Sequence, residues 1–152
     1  MVRIRKILVA TGGSAWSKKA VEWAAGYAKE HGLELLVLHV VPTEVFTVSE
    51  ANRRRAEKIL ASSHGLAKEV YPASEAKLMR GPIADTIAEV ARMEGCDLIV
   101  MGSHGRSKLR DRLLGDILSR VIVQSHCPVL VVKETKELEQ TLRVGKDKVV
   151  FR

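Results

Sequence analysis

The sequence predicts a doubly wound α/β domain built on a parallel sheet. Three observations carry the prediction. Short apolar runs of strand length alternate with longer stretches whose apolar residues recur at helical spacing. Gly or Pro punctuates the runs instead of letting them continue. The chain has 152 residues, 46% apolar and 28% charged, enough for one domain with a sizeable core and too few for a second.

Ile4 to Ala10, β-branched and apolar apart from Arg5 and Lys6, ends in Thr11-Gly12-Gly13, a strand feeding a tight turn. Ser14 is placed to cap a helix, Trp16, Ala20, Trp23, Ala24, Tyr27 and Ala28 form its apolar stripe, and Gly32 stops it. Leu35 to Val41 is the second strand, closed by Pro42. The connection over 43–50, with Phe46 and Val48, has no period and reads as a loop near the site. From Ser49 towards Tyr71 a helix carries Ala56, Ile59, Leu60, Ala67 and Val70 on one side and Arg53, Arg54, Arg55 and Lys58 on another. Such a basic run reads as a solvated face ahead of a nucleic-acid contact.

Glu75 to Met79 is a short strand before Arg80-Gly81-Pro82, and Pro82 fits the first turn of a helix that buries Ile83, Ile87, Val90 and Ala91 and stops at Gly95. Leu98 to Met101 is a strand apolar on both faces, bounded by Gly102. Gly115 is expected to open a helix over Asp116 to Gln124, with Ile117, Val121 and Ile122 inward, and Pro128 to Val132 is the last strand. Parallel neighbours need crossover helices, and ligands of such sheets sit beyond the carboxyl ends of strands where strand order reverses. The turn after the first strand and the loop after the fourth would converge there.

That loop carries Gly102, Gly105 and Gly115 in the spacing G-x2-G-x9-G, with Arg106, Lys108, Arg110 and Arg112 against Asp111 and Asp116. Glycines let backbone N–H groups approach a phosphate, and guanidinium groups suit its oxygens, so an anion cradle is one reading. Ordinary turn glycines in a solvated basic loop are the other. The net charge of +7 suits acidic partners without selecting one, and 4% aromatic residues give little sign of a base-stacking platform. Cys96 and Cys127 form no zinc spacing, and the N-terminus shows no leader or membrane span, so a reduced, cytoplasmic protein without a membrane association is expected. Ser103 and His104 are adjacent and do not make a triad with Asp116, and no residue is placed as a general base for phosphoryl transfer. No catalytic residue is assigned.

Met101-Gly102-Ser103-His104-Gly105, the nine-residue gap to Gly115, Cys127-Pro128-Val129-Leu130-Val131-Val132, and Lys6-Ile7-Leu8-Val9-Ala10-Thr11 followed by Gly13-Ser14 together resemble the universal stress protein family, UspA-like type. The likeness covers about residues 4 to 133. It implies a Rossmann-like five-stranded sheet in the order 3-2-1-4-5, a homodimer paired through Pro128 to Val132, and in one branch ATP over the glycine loop. It also implies a domain over 1–133, which leaves an extension over 134–152. The alternating charges of that extension read as a disordered end, and its Val149-Val150-Phe151 as an arm that docks on the partner subunit. Carried over by position, Gly102, Gly105, Arg106, Gly115, Asp116 and Ile117 would face phosphates. Val40, Met101 and the turn Ala10, Thr11 and Gly12 would hold adenine and ribose, and His104 would shape the crevice.

Two positions depart from the ATP-binding pattern. Gly12 stands where those members carry Asp, and Asp116 where a hydroxyl follows the third glycine; Leu118 occupies another position that is often small or hydroxylated. A carboxylate about 4 Å from a phosphate charge repels it by about 1 kcal/mol in water and about 4 at intermediate dielectric. A Mg²⁺ or Mn²⁺ ion bridging Asp116 to the phosphates would reverse that sign. Alternatively Asp116 caps its own helix, the preferred reading because no other carboxylate in the matched turns is placed to share a metal. Two functions therefore stand: a stress-response or regulatory module that binds ATP, and an interaction protein of the same fold that meets an unknown protein partner and binds no ATP.

Overall fold

The computed structural model describes residues 3–43, 49–103 and 111–133, with the backbone alone for 111–114. Nine elements alternate along them: β1 (Lys6–Ala10), α1 (Ala15–His31), β2 (Glu34–Val41), α2 (Glu50–Val70), β3 (Glu75–Arg80), α3 (Ile83–Met93), β4 (Leu98–Gly102), α4 (Asp111–Gln124) and β5 (Val129–Val132). The strands form one parallel sheet in the order β3-β2-β1-β4-β5. Ile7 lies between Leu35 and Leu98, and Val9 between Val37 and Val100. Successive side chains face opposite layers. Ile7, Val9, Leu35, Val37, Leu98 and Val100 pack with α1 and α2, whereas Leu8, Leu36, Leu38, Ile99 and Met101 pack with α3 and α4. Because β1 is covered on both sides, its centre is continuous apolar sequence, and Ile7, Leu8 and Val9 have no exposed surface.

Local signals set the helix ends. Ser14 Oγ accepts from the Ser17 N–H, and Gly32 closes α1 in the left-handed region at φ 64°. Ser49 caps α2 through the Asn52 N–H. The basic run on α2 is exposed and laced with Glu50 and Glu57 at 3.4–3.6 Å from Arg53 and Arg54, a solvated face as expected. At the amino ends of the strands one Asp97 carboxylate oxygen accepts from the N–H groups of Arg5 (2.8 Å) and Lys6 (3.1 Å), which ties β4 to β1.

Three expectations change. First, α4 starts at Asp111, so Gly115 lies inside the helix and does not open it. A helical Gly costs about 1 kcal/mol relative to Ala, and the packing of Ile117, Leu118 and Val121 on the α3-side core outweighs that cost. Second, Val121 is the inward residue, while Ile122 is 54% exposed, because a helix resting on one layer buries only one stripe. Third, the buried stripe of α1 is Ala20, Val21, Ala24, Ala25 and Ala28, while Trp23 and Tyr27 stack on each other (centroids 5.0 Å apart) at its border. Small residues there let α1 ride low on the sheet. Phe46, Val48 and the extension over 134–152 lie outside the described residues.

The low ride of α1 explains Gly102. A Cβ at that position would stand 2.8 Å from the carbonyl C and O of Trp16 and 3.1 Å from the Ser17 nitrogen, all backbone atoms that cannot swing aside. Gly102→Ala is accordingly expected to lose about 1–3 kcal/mol, read from the midpoint of urea unfolding, and an unchanged midpoint would show that α1 can yield.

Burial pushes the Cys96 thiol up to about 12, against a lesser opposing pull from Lys6. Iodoacetamide near neutral pH should therefore label the partly exposed Cys127 of the native protein and leave Cys96 unmodified until denaturant is added. Equal labelling of both thiols in the native state would contradict this burial.

Candidate functional site

Strand order reverses between β1 and β4, and the carboxyl ends of β1, β2 and β4 lie side by side there. The turn leaving β1 is held from three directions. The Thr11 N–H donates to the Leu38 carbonyl at 2.9 Å, and the Thr11 carbonyl lies 2.7 Å from His39 Nδ1. A carbonyl only accepts, so this nitrogen carries the proton. On the α1 and α2 side, Thr11 Oγ1 is 2.8 Å from Ser63 Oγ and 3.3 Å from Ser17 Oγ, and it accepts from the Gly13 N–H at 3.3 Å. Ser14 Oγ is 3.1 Å from Ser17 Oγ, which itself lies 3.0 Å from the Ser14 carbonyl.

Each hydroxyl has one proton to give, and that settles the directions. Ser17 must donate to the Ser14 carbonyl, so it accepts from Thr11 and Ser14; the Thr11 proton is then spent, and Ser63 donates to Thr11. All four hydroxyl residues are buried, Ser63 completely. A buried hydroxyl without a partner costs about 1–3 kcal/mol, so the closed chain of donors favours one geometry of the turn.

Above this anchor Gly12 is exposed, with open space where a Cβ would stand. Its neighbour Gly13, at φ 84°, is the residue the turn requires to be glycine. Opposite the hydroxyls, Val40 and Met101 are buried and Ala10 half-buried on the α3 and α4 face, an apolar wall at the ends of three adjacent strands. The structure thus brings Ala10, Thr11, Gly12, Val40, Met101 and Gly102 together. Gly102 is packed on α1, and the next amide, Ser103 N–H, donates to the Val132 carbonyl at 3.0 Å.

The remaining residues are placed differently. His104, Gly105 and Arg106 lie outside the described residues. Gly115 and Asp116 are the fifth and sixth residues of α4, both exposed. Free N–H groups belong to the first turn of a helix, so the Gly115 amide is not one of them, and Asp116 does not cap the helix as expected. Ile117 is half-buried and packs, with Leu118, on the core. Sequence reasoning missed Ser17, His39 and Ser63. Ser63 was visible in principle, as a polar residue in line with Ala56, Ala67 and Val70 on the apolar stripe of α2.

Other features lie elsewhere. A cavity of about 200 Å³ between α3 and the end of α4, lined by Asp85, Ala88, Glu89, Arg92, Gln124 and His126, has no residue in common with the crevice. Among the described residues no three His, Cys, Asp or Glu side chains gather as a metal site, and no helix is long and apolar enough to cross a membrane.

The sequence and the fold have counterparts among known proteins. Universal stress protein MJ0531 of Methanocaldococcus jannaschii is 34% identical over 143 residues, 88% of this chain and 84% of the relative. Universal stress protein YxiE of Bacillus subtilis is 34% identical over 145 residues, 84% of this chain and 98% of the relative. A universal stress protein solved in complex with cAMP superposes with a TM-score of 0.69 at 26% identity, covering 85% of this chain and 97% of that one. The family model for the universal stress protein family matches residues 3–133, and the chain belongs to that family.

Proposed function

We propose that this chain is a nucleotide-responsive regulatory module of the stress response, a cytoplasmic homodimer that holds an adenine nucleotide, ATP in the first instance. The observation that carries the reading is the turn Ala10–Gly12, anchored by buried hydroxyls and facing the apolar wall of Val40 and Met101 where strand order reverses. The similarity to a universal stress protein complexed with cAMP supports it. In this reading adenine packs on Val40 and Met101 and the phosphates run towards the loop of Gly102, His104, Gly105 and Arg106. A Mg²⁺ or Mn²⁺ ion would offset the charge of Asp116. No residue is assigned a catalytic role, and ATP hydrolysis is expected to be slow.

The dimer rests on β5. Val129–Val132 is apolar throughout yet half-exposed, and among the described residues its neighbour in the sheet is β4 alone. An open apolar edge is an aggregation hazard unless covered, and pairing with the same edge of a second copy, from Pro128 to Val132, would cover it.

A second reading keeps the fold and the dimer but not ATP, and makes the protein an interaction module for a protein partner. Exposed Gly12, without a carboxylate, and exposed Asp116 favour it. Mass spectrometry of small molecules released from the purified protein, followed by calorimetric titration with ATP with and without magnesium, separates the two. A bound adenine nucleotide and a saturable heat select the first reading; an empty protein and no heat select the second.

Two substitutions locate the energetics. Gly12→Asp meets no atom within 4 Å and no left-handed backbone, so unfolding stability should change by no more than about 0.5 kcal/mol. A restored charged hydrogen bond of about 1.5–3 kcal/mol should tighten ATP about ten- to hundredfold in the titration. Asp116→Ser should tighten ATP about fivefold in the absence of magnesium if the carboxylate repels the phosphates by about 1 kcal/mol. Unchanged affinity in both variants would place the nucleotide away from these residues.

A further inference from the structure

Two thiols stand where the chain enters two adjacent strands, away from the crevice. Cys96 lies between α3 and β4, and Cys127 between α4 and β5. Ile99 is opposite Val129, and the pairing continues below that rung, because the Ile99 N–H donates to the Pro128 carbonyl at 3.0 Å. Below Pro128 the regular pairing ends, since the Asp97 N–H donates to the Lys6 carbonyl of β1 and Cys96 turns into the α3 and α4 layer; Cys127 still lies near enough for its charge to act on the Cys96 thiol. A disulfide between them requires Cα atoms about 4.4–6.8 Å apart. Both side chains also turn to one layer: Cys96 is fully buried in the core under α3 and α4, and Cys127 packs half-buried against the same cluster. Ser125 pins the approach to β5, accepting the Cys127 N–H at 3.1 Å and donating to its carbonyl at 2.7 Å, with its Oγ 3.4 Å from Cys127 Sγ.

We propose that Cys96 and Cys127 are a dithiol that hydrogen peroxide closes into an intramolecular disulfide, tying the foot of β4 to the foot of β5. Cys127 reacts first because solvent reaches it. Its thiolate attacks one peroxide oxygen and breaks the O–O bond; the departing hydroxide takes up the proton that the thiol released and leaves as water. Cys127 is then a sulfenic acid. The Cys96 sulfur attacks the sulfenic sulfur, the S–O bond breaks, and the Cys96 proton leaves with that hydroxide as a second water. Two thiols and one peroxide give one disulfide and two waters, with two electrons passing from sulfur to oxygen.

Magnitudes explain the division of labour. With its thiol pushed up to about 12, Cys96 near neutral pH is thiolate in a fraction of only about 10⁻⁵, inert towards a dissolved oxidant. Towards a sulfenic sulfur held beside it, effective molarities of about 10⁵ M or more offset that factor. The resolving thiol can therefore be buried, provided that its partner is adjacent.

The full-length protein, reduced and then treated with hydrogen peroxide, tests this by peptide mapping without reductant. A monomer lighter by two hydrogens, a peptide joining Cys96 to Cys127 and recovery of both thiols with dithiothreitol are expected. Cys96→Ser should stop at a Cys127 sulfenic acid trapped by dimedone, and Cys127→Ser should leave Cys96 reduced. A wild-type product in which Cys127 is sulfinic, or joined to Cys127 of a second copy, while Cys96 still alkylates after unfolding, overturns the proposal. The wild-type map decides without either variant, and it does not depend on the nucleotide reading.

Discussion

The carboxyl side of this sheet depends on how closely the start of α1 approaches the end of β4. The backbone of Trp16 and Ser17 lies so near Gly102 that no Cβ fits between them. The alanines Ala20, Ala24, Ala25 and Ala28 extend the same close contact along the helix. That approach pulls the first turn of α1 over the strand ends, which is why Ser14 and Ser17 can reach the Thr11 hydroxyl at all. A larger side chain at Gly102 would lift the helix and break the hydroxyl chain together with the packing, so the apolar and polar parts of the region share one geometric requirement.

The crevice has two chemically different sides. On the α1 and α2 side, four buried hydroxyls and the His39 ring bond to the turn and stabilise its shape. On the α3 and α4 side, Val40 and Met101 offer only apolar surface. In the proposed nucleotide reading a planar base with a polar sugar would meet this pair of walls, packing supplying affinity and backbone groups orientation. Electrostatics adds less within the described residues. The carboxylate of Asp116 and the missing one at Gly12 both alter the local charge, whereas the chain as a whole, at +7, attracts anions from a distance.

At the opposite end of the sheet the chemistry is of another kind. Asp97 fastens β4 to β1 through two amides, and Cys96 beside it is sealed from water. Ser125 and the Ile99 N–H, which donates to the Pro128 carbonyl, hold the foot of β5 beside the half-buried Cys127, and β5 is an edge among the described strands. A covalent tie there would fasten an edge strand to a buried part of the sheet, next to the edge proposed for dimer pairing.

Much of this was legible from the chain alone. Each buried strand is a short apolar run, because a parallel strand covered on both faces can present nothing else, and Ser14, Gly32 and Ser49 mark helix ends through bonds made within a few residues. The motif from Met101 to Gly115 suggests the family only together with Lys6 to Ser14 and Cys127 to Val132; the convergence of the first turn with the fourth strand's loop follows from the topology, while Val40 and Met101 come in through the resemblance. Tertiary contacts decided the rest. Gly115 looked like a helix start because glycine is a poor helix former, yet the core contacts of Ile117, Leu118 and Val121 are worth more than its local cost. The role of Gly102 depends on the backbone of a helix far away in sequence, and that of Ser63 on a threonine 52 residues earlier. Local patterns determine which segments become strands and helices, because those bonds close within a turn or follow from burial. Which glycine is indispensable and which serine anchors the turn depend on distances between segments, and only the packed chain sets those.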